Sequence, residues 1–213
     1  DGSTRCEGRI INNSINACET GISIRDCYPQ MKRNQLVENH VGINLENIDG
    51  LSISGNTYSE NNIGIHLSSV ESITLKRENF TGCGVYITGQ ELDWTSHSID
   101  TSNHVNGLPI HYVSNIDNQK IVGDYGQIII ASSDNTIIEN NSIRSTTAGI
   151  QIGYCFNISI INNSVNNSYY GICIWSTQKG NIYDQNLEDN VQSNLRIQNG
   201  KRLTIHNTTS TNS

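Results

Sequence analysis

The stretch "GIQIGYCFNISIINNSVNNSYYGICI", residues 149–174, states one pattern twice: Ile150 and Ile152 follow Gly149, and 22 residues later Ile172 and Ile174 follow Gly171. Working outward, the same Gly-apolar-x-apolar signature starts at Gly21, Gly42, Gly64, Gly84, Gln127, Gly149, Gly171 and Asn194, with spacings of 21, 22, 20, 43, 22, 22 and 23 residues. A fixed period of this size marks a repeat architecture, and it takes precedence over any single-segment reading.

Within each period the apolar residues alternate as half-buried strands do. The first column runs Ile22/Ile24, Ile43/Leu45, Ile65/Leu67, Val85/Ile87, Ile128/Ile130, Ile150/Ile152, Ile172/Ile174 and Leu195/Ile197. A second holds Leu51/Ile53, Ile73/Leu75, Thr136/Ile138, Ile158/Ile160 and Leu203/Ile205, and a third Val37, Tyr58, Phe80, Ile143, Val165 and Leu187. Three short strands per repeat, without helical periodicity, predict an all-β fold: a parallel β-helix of about nine coils of about 22 residues. One coil cannot bury its own inward side chains, but coils stacked about 4.8 Å apart bury Ile on Ile and pair every strand above and below. On this reading Ile43, Ile65, Ile150 and Ile172 share one interior file. Just before the third column stand Asn13, Gln35, Asn56, Glu78, Asn141, Asn163 and Gln185, predicted to form a ladder of stacked polar side chains at a turn.

The chain reads as a single β-helix domain over 1–213, with an excursion at about 90–125 that accounts for the double spacing of 43. There Asn106-Gly107 is a tight-turn dipeptide, and Pro109 to Val113 alternates, so a protruding turn or hairpin and a return to the stack are expected. The opening "DGSTRCEGRI" has no Met, and the chain starts and finishes inside a coil, which reads as a processed piece of something longer or as ends that stack on neighbours.

Only 35% of residues are hydrophobic, below the usual 45–50%, so the core is thin and the surface large. With 13 basic and 20 acidic side chains the net charge is −7, and Lys and Arg form no cluster along the sequence, which argues against nucleic acid and anionic membrane as partners. No apolar run approaches the length of a membrane span.

Residues 97–143, "HSIDTSNHVNGLPIHYVSNIDNQKIVGDYGQIIIASSDNTIIENNSI", carry "VNG-x-P" followed by "G-Q-I-I" and "N-x-I-I-x-N-N". This stretch resembles the NosD-like right-handed parallel β-helix repeat proteins, in particular the surface and secreted versions found in methanogenic archaea. Outside it the likeness is the general coil pattern shared with pectate-lyase-like β-helices. The resemblance implies right-handed winding and an extracellular or cell-surface location. The founding member resembles a periplasmic accessory of copper-site assembly.

A polysaccharide-cleaving β-helix needs two or three carboxylates, or a basic residue with carboxylates, on one outward face. Among the outward slots of the first column only Glu46 is acidic; with His66 on the next coil and Arg25 on the previous one it forms the sole catalytic candidate. Tyr86 and Trp175 are too many coils apart for one sugar platform, and Tyr154, Tyr169 and Tyr170 belong to turns. Six cysteines lack C-x-x-C spacing; Cys6 and Cys27, about one coil apart, are the expected disulfide, and Cys27 and Cys155, six past the Gly slot, read as inward. No metal or cofactor site is expected: Met31 is the sole Met, and among six His only His97, His104 and His111 share a segment. Sequons at Asn12, Asn79, Asn140, Asn157, Asn162, Asn166 and Asn207 fit a secreted glycoprotein and equally fit turns rich in Asn.

The expected function is a non-enzymatic structural protein whose partners are its own copies or cell-envelope components. A carbohydrate-binding or polysaccharide-degrading module is the alternative, and a copper-site accessory a further one.

Overall fold

The computed structural model describes residues 6–211. It is an all-β, right-handed solenoid of about nine coils with one short helix, Leu92–Thr95. The first four coils stack three parallel sheets. One contains Thr20–Arg25, Val41–Asp49, Ile63–Glu71 and Val85–Thr88. Register is one-to-one through the columns, Ile22 on Ile43 and Ile43 on Ile65. The Gly slots follow from coil spacing: a Cβ on Gly42 or Gly64 would lie 2.6 Å from the carbonyl oxygen of the next coil's glycine, closer than any side chain tolerates.

Two column assignments shift by one residue. Leu36, fully buried, pairs with Tyr58, whereas Val37 pairs with Ser59 and is half-buried; likewise Asn34, not Gln35, occupies the polar ladder. The offset between the first two coils is 21 at Ile24↔Leu45 and 22 at Met31↔Ile53, so the turn around Pro29 is one residue short and counting from Gly21 overshoots.

The ladder itself is continuous. Backbone N–H groups of Asn13, Asn34, Asn56 and Glu78 donate to the side-chain oxygens of Asn34, Asn56, Glu78 and Asn103 at 2.9–3.3 Å. Each amide then donates onward, Asn34 Nδ2 to Ile10 O at 2.8 Å and Asn103 Nδ2 to Leu75 O at 2.9 Å, so buried polar groups are paired at every rung. A second ladder runs Cys18, Asn39, Asn61, Cys83, ending with Asn61 Nδ2 donating to Cys83 Sγ at 3.8 Å. Cys155 does the same in the later coils, its Sγ accepting from Ser133 N–H. These sulfurs are rungs, and burial pushes both thiols up to about 12. Cys6 and Cys27 are joined by a disulfide with Cα atoms 4.7 Å apart.

The excursion does not return to the stack it left. After the helix, His104–Val105 completes the third column, Asn106-Gly107 turns with both φ positive, and Leu108–Ser114 runs back antiparallel. That reversed strand then pairs in parallel with Gln127–Ala131, which founds a second stack continuing through Ala148–Gly153, Tyr170–Trp175 and Ser193–Gln198. The third sheet of the first stack and the first sheet of the second are therefore one ten-stranded ladder with its polarity inverted at the hairpin. The four isoleucines fall into two interior files rather than one: Ile43 with Ile65, Ile150 with Ile172. The β-helix stands because each file is continuous in its own stack.

The second stack caps the first. Val85–Thr88 is the free edge of its sheet, and side chains from the outer face of the second stack cover it. Gln127 Oε1 accepts from Val85 N–H at 3.0 Å while its Nε2 donates to Val85 O at 2.7 Å; Gln151 Oε1 accepts from Ile87 N–H at 3.1 Å; Thr147 Oγ1 accepts from Gly84 N–H at 2.8 Å. Ile129 and Ala131, outward in their own sheet, join the first stack's core beside Trp94. Gly153 sits against that ring, where a Cβ would approach Trp94 to 2.5 Å. The edge that invites aggregation is thereby closed from within.

Candidate functional site

The outward face of the Thr20–Arg25, Val41–Asp49, Ile63–Glu71 and Val85–Thr88 sheet carries the catalytic candidates, positioned by strand alternation. Arg25 lies opposite Glu46 and forms an ion pair with it. His66 lies opposite Asn44, not Glu46, because the register places Glu46 against Ser68. Its ring is held on both sides, Nδ1 at 3.0 Å from Asn44 Oδ1 and Nε2 at 2.9 Å from Thr88 Oγ1. Burial pushes its pKa below the ordinary value, with Glu46 opposing weakly, so the imidazole is neutral at pH 7. Nδ1–H then donates to Asn44 and Nε2 accepts from Thr88. The face thus brings Arg25, Glu46 and His66 to adjacent strands but engages each in a local bond, and it offers no second carboxylate opposite Glu46 for the two-carboxylate chemistry of glycosidases.

Where this face meets the second stack an aromatic cluster forms that spacing along the chain did not reveal. Tyr86 stacks on Tyr170 with ring centroids 5.1 Å apart, Tyr169 meets Tyr170 at 4.8 Å, and Arg196 donates to the Tyr170 hydroxyl at 3.0 Å. Tyr86 and Tyr170 are buried. Tyr86 and Tyr170 are thus engaged in the joint, and Tyr170 with Arg196 also lines a cleft of about 450 Å³. The inversion at Asn106-Gly107 is what brings them together, and no local signal reports it.

A second concavity, about 550 Å³, opens beside the helix and carries Glu91, Asp117 and Asp134. Each carboxylate is already engaged: Glu91 by the Ser132 hydroxyl, Asp117 by Asp134 N–H at 2.8 Å, Asp134 by Phe156 N–H at 3.0 Å. These bonds continue the stacking of turns between coils.

Five sequon asparagines, Asn12, Asn140, Asn157, Asn162 and Asn207, adopt positive φ at coil corners, the conformation Asn accepts most readily among residues with a Cβ. Asn79 and Asn166 lie in strands; Asn79 is exposed and Asn166 is half-buried.

Two family models match the chain: one described as "Right handed beta helix region" over residues 99–213, and one described as "Periplasmic copper-binding protein (NosD)" over residues 3–95. No curated protein matches. The donor chemistry that the second description implies does not fit the residues present. Met31 is fully buried, His97 is buried with its Nδ1 accepting from Ile73 N–H, His111 packs on Tyr125 at 4.5 Å, and no three His, Cys, Asp or Glu gather among the described residues.

Proposed function

We propose, from the premise that this chain belongs to the right-handed β-helix family, whose model covers more than half of it, that it is a non-enzymatic structural β-helix of the cell surface or extracellular space. The observation that carries this reading is the engagement of the catalytic candidates themselves, Glu46 by Arg25 and His66 by Asn44 and Thr88. The periplasmic description attached to the matched N-terminal model supports a location outside the cytoplasm. Its partners are its own copies or components of the cell envelope.

Self-assembly enters through the last described coil. Ile197 and Ile205 are 39% and 46% exposed, while their column neighbours one coil earlier, Ile174 and Ile182, are 3% and 1% exposed. Another coil of the same geometry, from adjoining sequence or a neighbouring molecule, completes both columns. The assembly reading takes the second, forming a layer, sheath or filament by β-augmentation. Sedimentation velocity and electron microscopy across a concentration series test it: ordered polymers are expected, and uniform monomers at all concentrations overturn the assembly role. Release of reducing sugar from any polysaccharide that is lost on Glu46→Gln overturns the non-enzymatic reading.

A further inference from the structure

Of the three Lys-Arg dipeptides, Lys32-Arg33 and Lys76-Arg77 stand 44 residues apart, and Lys201-Arg202 lies in the last described coil of the other stack. That is two coils, so the fold sets them on one edge of the first stack with Ser54-Gly55 between: Lys32 pairs with Ser54, and Ser54 with Lys76. Four of the 13 basic residues of a chain with net charge −7 thus converge on three consecutive coils. All four are exposed, and none forms an ion pair among the described residues. Asp100 feels them, its carboxyl held below the usual range first by the Ser102 hydroxyl and, less strongly, by Lys76 and Arg77.

Between the arginines lies a cleft of about 320 Å³ lined by Lys32, Arg33, Ser54, Gly55 and Arg77. Its floor is the informative part. Asn12, Arg33, Gly55 and Arg77 occupy one turn column, with φ of 60°, 55°, 68° and 56°. Residues with side chains take the same conformation on the other three coils, so the backbone does not demand glycine at 55. A Cβ there would meet nothing within 4 Å, so neighbouring atoms do not demand it either. What glycine does at this position is keep the space between two guanidinium groups open.

We propose that this cleft binds an acidic polysaccharide, with one carboxylate or sulfate held by each arginine and a sugar ring lying over Gly55. Arg33 and Arg77 are two coils, roughly 10 Å, apart along the stack. An extended pyranose chain charged on alternate rings repeats over a similar length. Guanidinium forks pair with carboxylate or sulfate in bidentate fashion, Lys32 adds a point charge, and the Ser54 hydroxyl meets the ring's own hydroxyls. Single-stranded nucleic acid fits less well, because no aromatic side chain lines the cleft to stack a base. The inference deepens the carbohydrate-binding alternative and stands apart from the scaffold role.

The test is affinity electrophoresis and calorimetry of the full chain against polygalacturonate, chondroitin sulfate, neutral dextran and a single-stranded oligonucleotide, with particle size monitored throughout. Retardation by at least one of the two acidic glycans, weakened by salt and absent with dextran, is expected; which glycan binds separates carboxylate from sulfate recognition. The pair Arg33→Gln/Arg77→Gln should lose binding at least tenfold. Gly55→Asn, which accepts the turn and fills the gap, should do the same with an unchanged melting temperature, while Lys179→Gln on the other stack binds as the parent. Absence of binding to both acidic glycans, equal binding of dextran, stronger binding of the oligonucleotide, or unaltered binding by the Arg33/Arg77 and Gly55 variants each overturns the proposal. The oligomer size read alongside reports on assembly separately, so failure of one reading leaves the other standing.

Discussion

Glu78 is the one charged rung in a ladder of amides. It is fully buried, accepts from the Tyr58 hydroxyl at 2.7 Å and from Asn56 Nδ2 at 3.1 Å, and burial nonetheless pushes its pKa from 4.5 to about 7. Because the folded state holds its proton more tightly than the unfolded chain, stability is unaffected below pH 4.5 and declines as pH rises toward 7. Above that it stays lower by a constant amount, on the order of 3 kcal/mol. Gln185 fills the corresponding rung of the second stack, donating to Ile160 O at 3.0 Å, so an amide suits the position. Denaturant titrations of Glu78→Gln are therefore expected to show higher stability than the parent at pH 8 and equal stability at pH 4, the difference between the two growing from pH 4.5 to about 7. The ladder was legible in the sequence as recurring Asn and Gln. Its exchange of Asn34 for Gln35 was not, because the spacing of 21 from Gly21 to Gly42 shows that this coil is short without showing that the missing residue falls before the ladder, near Pro29.

At the scale of the strand, buried side chain and exposed neighbour differ by one register step. Leu36→Ala empties a fully buried site between coils and should cost ~2–5 kcal/mol, whereas Val37→Ala, half-buried beside Ser59, should cost under ~1 kcal/mol; chevron or urea midpoints of the two variants distinguish the registers. The Cys6–Cys27 bridge spans 21 residues of the first coils, and opening it should lower stability by about 3 kcal/mol, read as the melting shift on reduction with Cys6→Ser/Cys27→Ser as control. The strands themselves were readable, since alternation and the Gly slot are each imposed by burial and by coil-to-coil contact. The catalytic candidates were readable only as residue types. That Asn44 and Thr88, rather than Glu46, hold His66 depends on register across coils, which side-chain identity does not carry.

For the molecule as a whole, the joint between the stacks ties the two arms together. Gln151→Ala strips the partner from Ile87 N–H and should cost ~1–3 kcal/mol, with hydrogen exchange accelerating at Ile87 before the distant Ile43 and Ile172 amides respond. The sequence announced an interruption, through the doubled spacing and Asn106-Gly107, but not a change of polarity. A hairpin and a degenerate coil leave the same gap of 43 residues. The cationic cleft was hidden in the same way: two separated dipeptides look dispersed until the period is applied to charge as well as to hydrophobicity.

The two-residue hairpin at Asn106-Gly107 houses the whole reversal inside an unbroken ladder. Beyond the coils that reach the joint, as far as that of Tyr170 in the second arm, whole coils can therefore be gained or lost without disturbing the bend, because each such turn docks only on its predecessor. The elbow is a fixed fitting, and the length of each limb is a free variable counted in 22-residue steps.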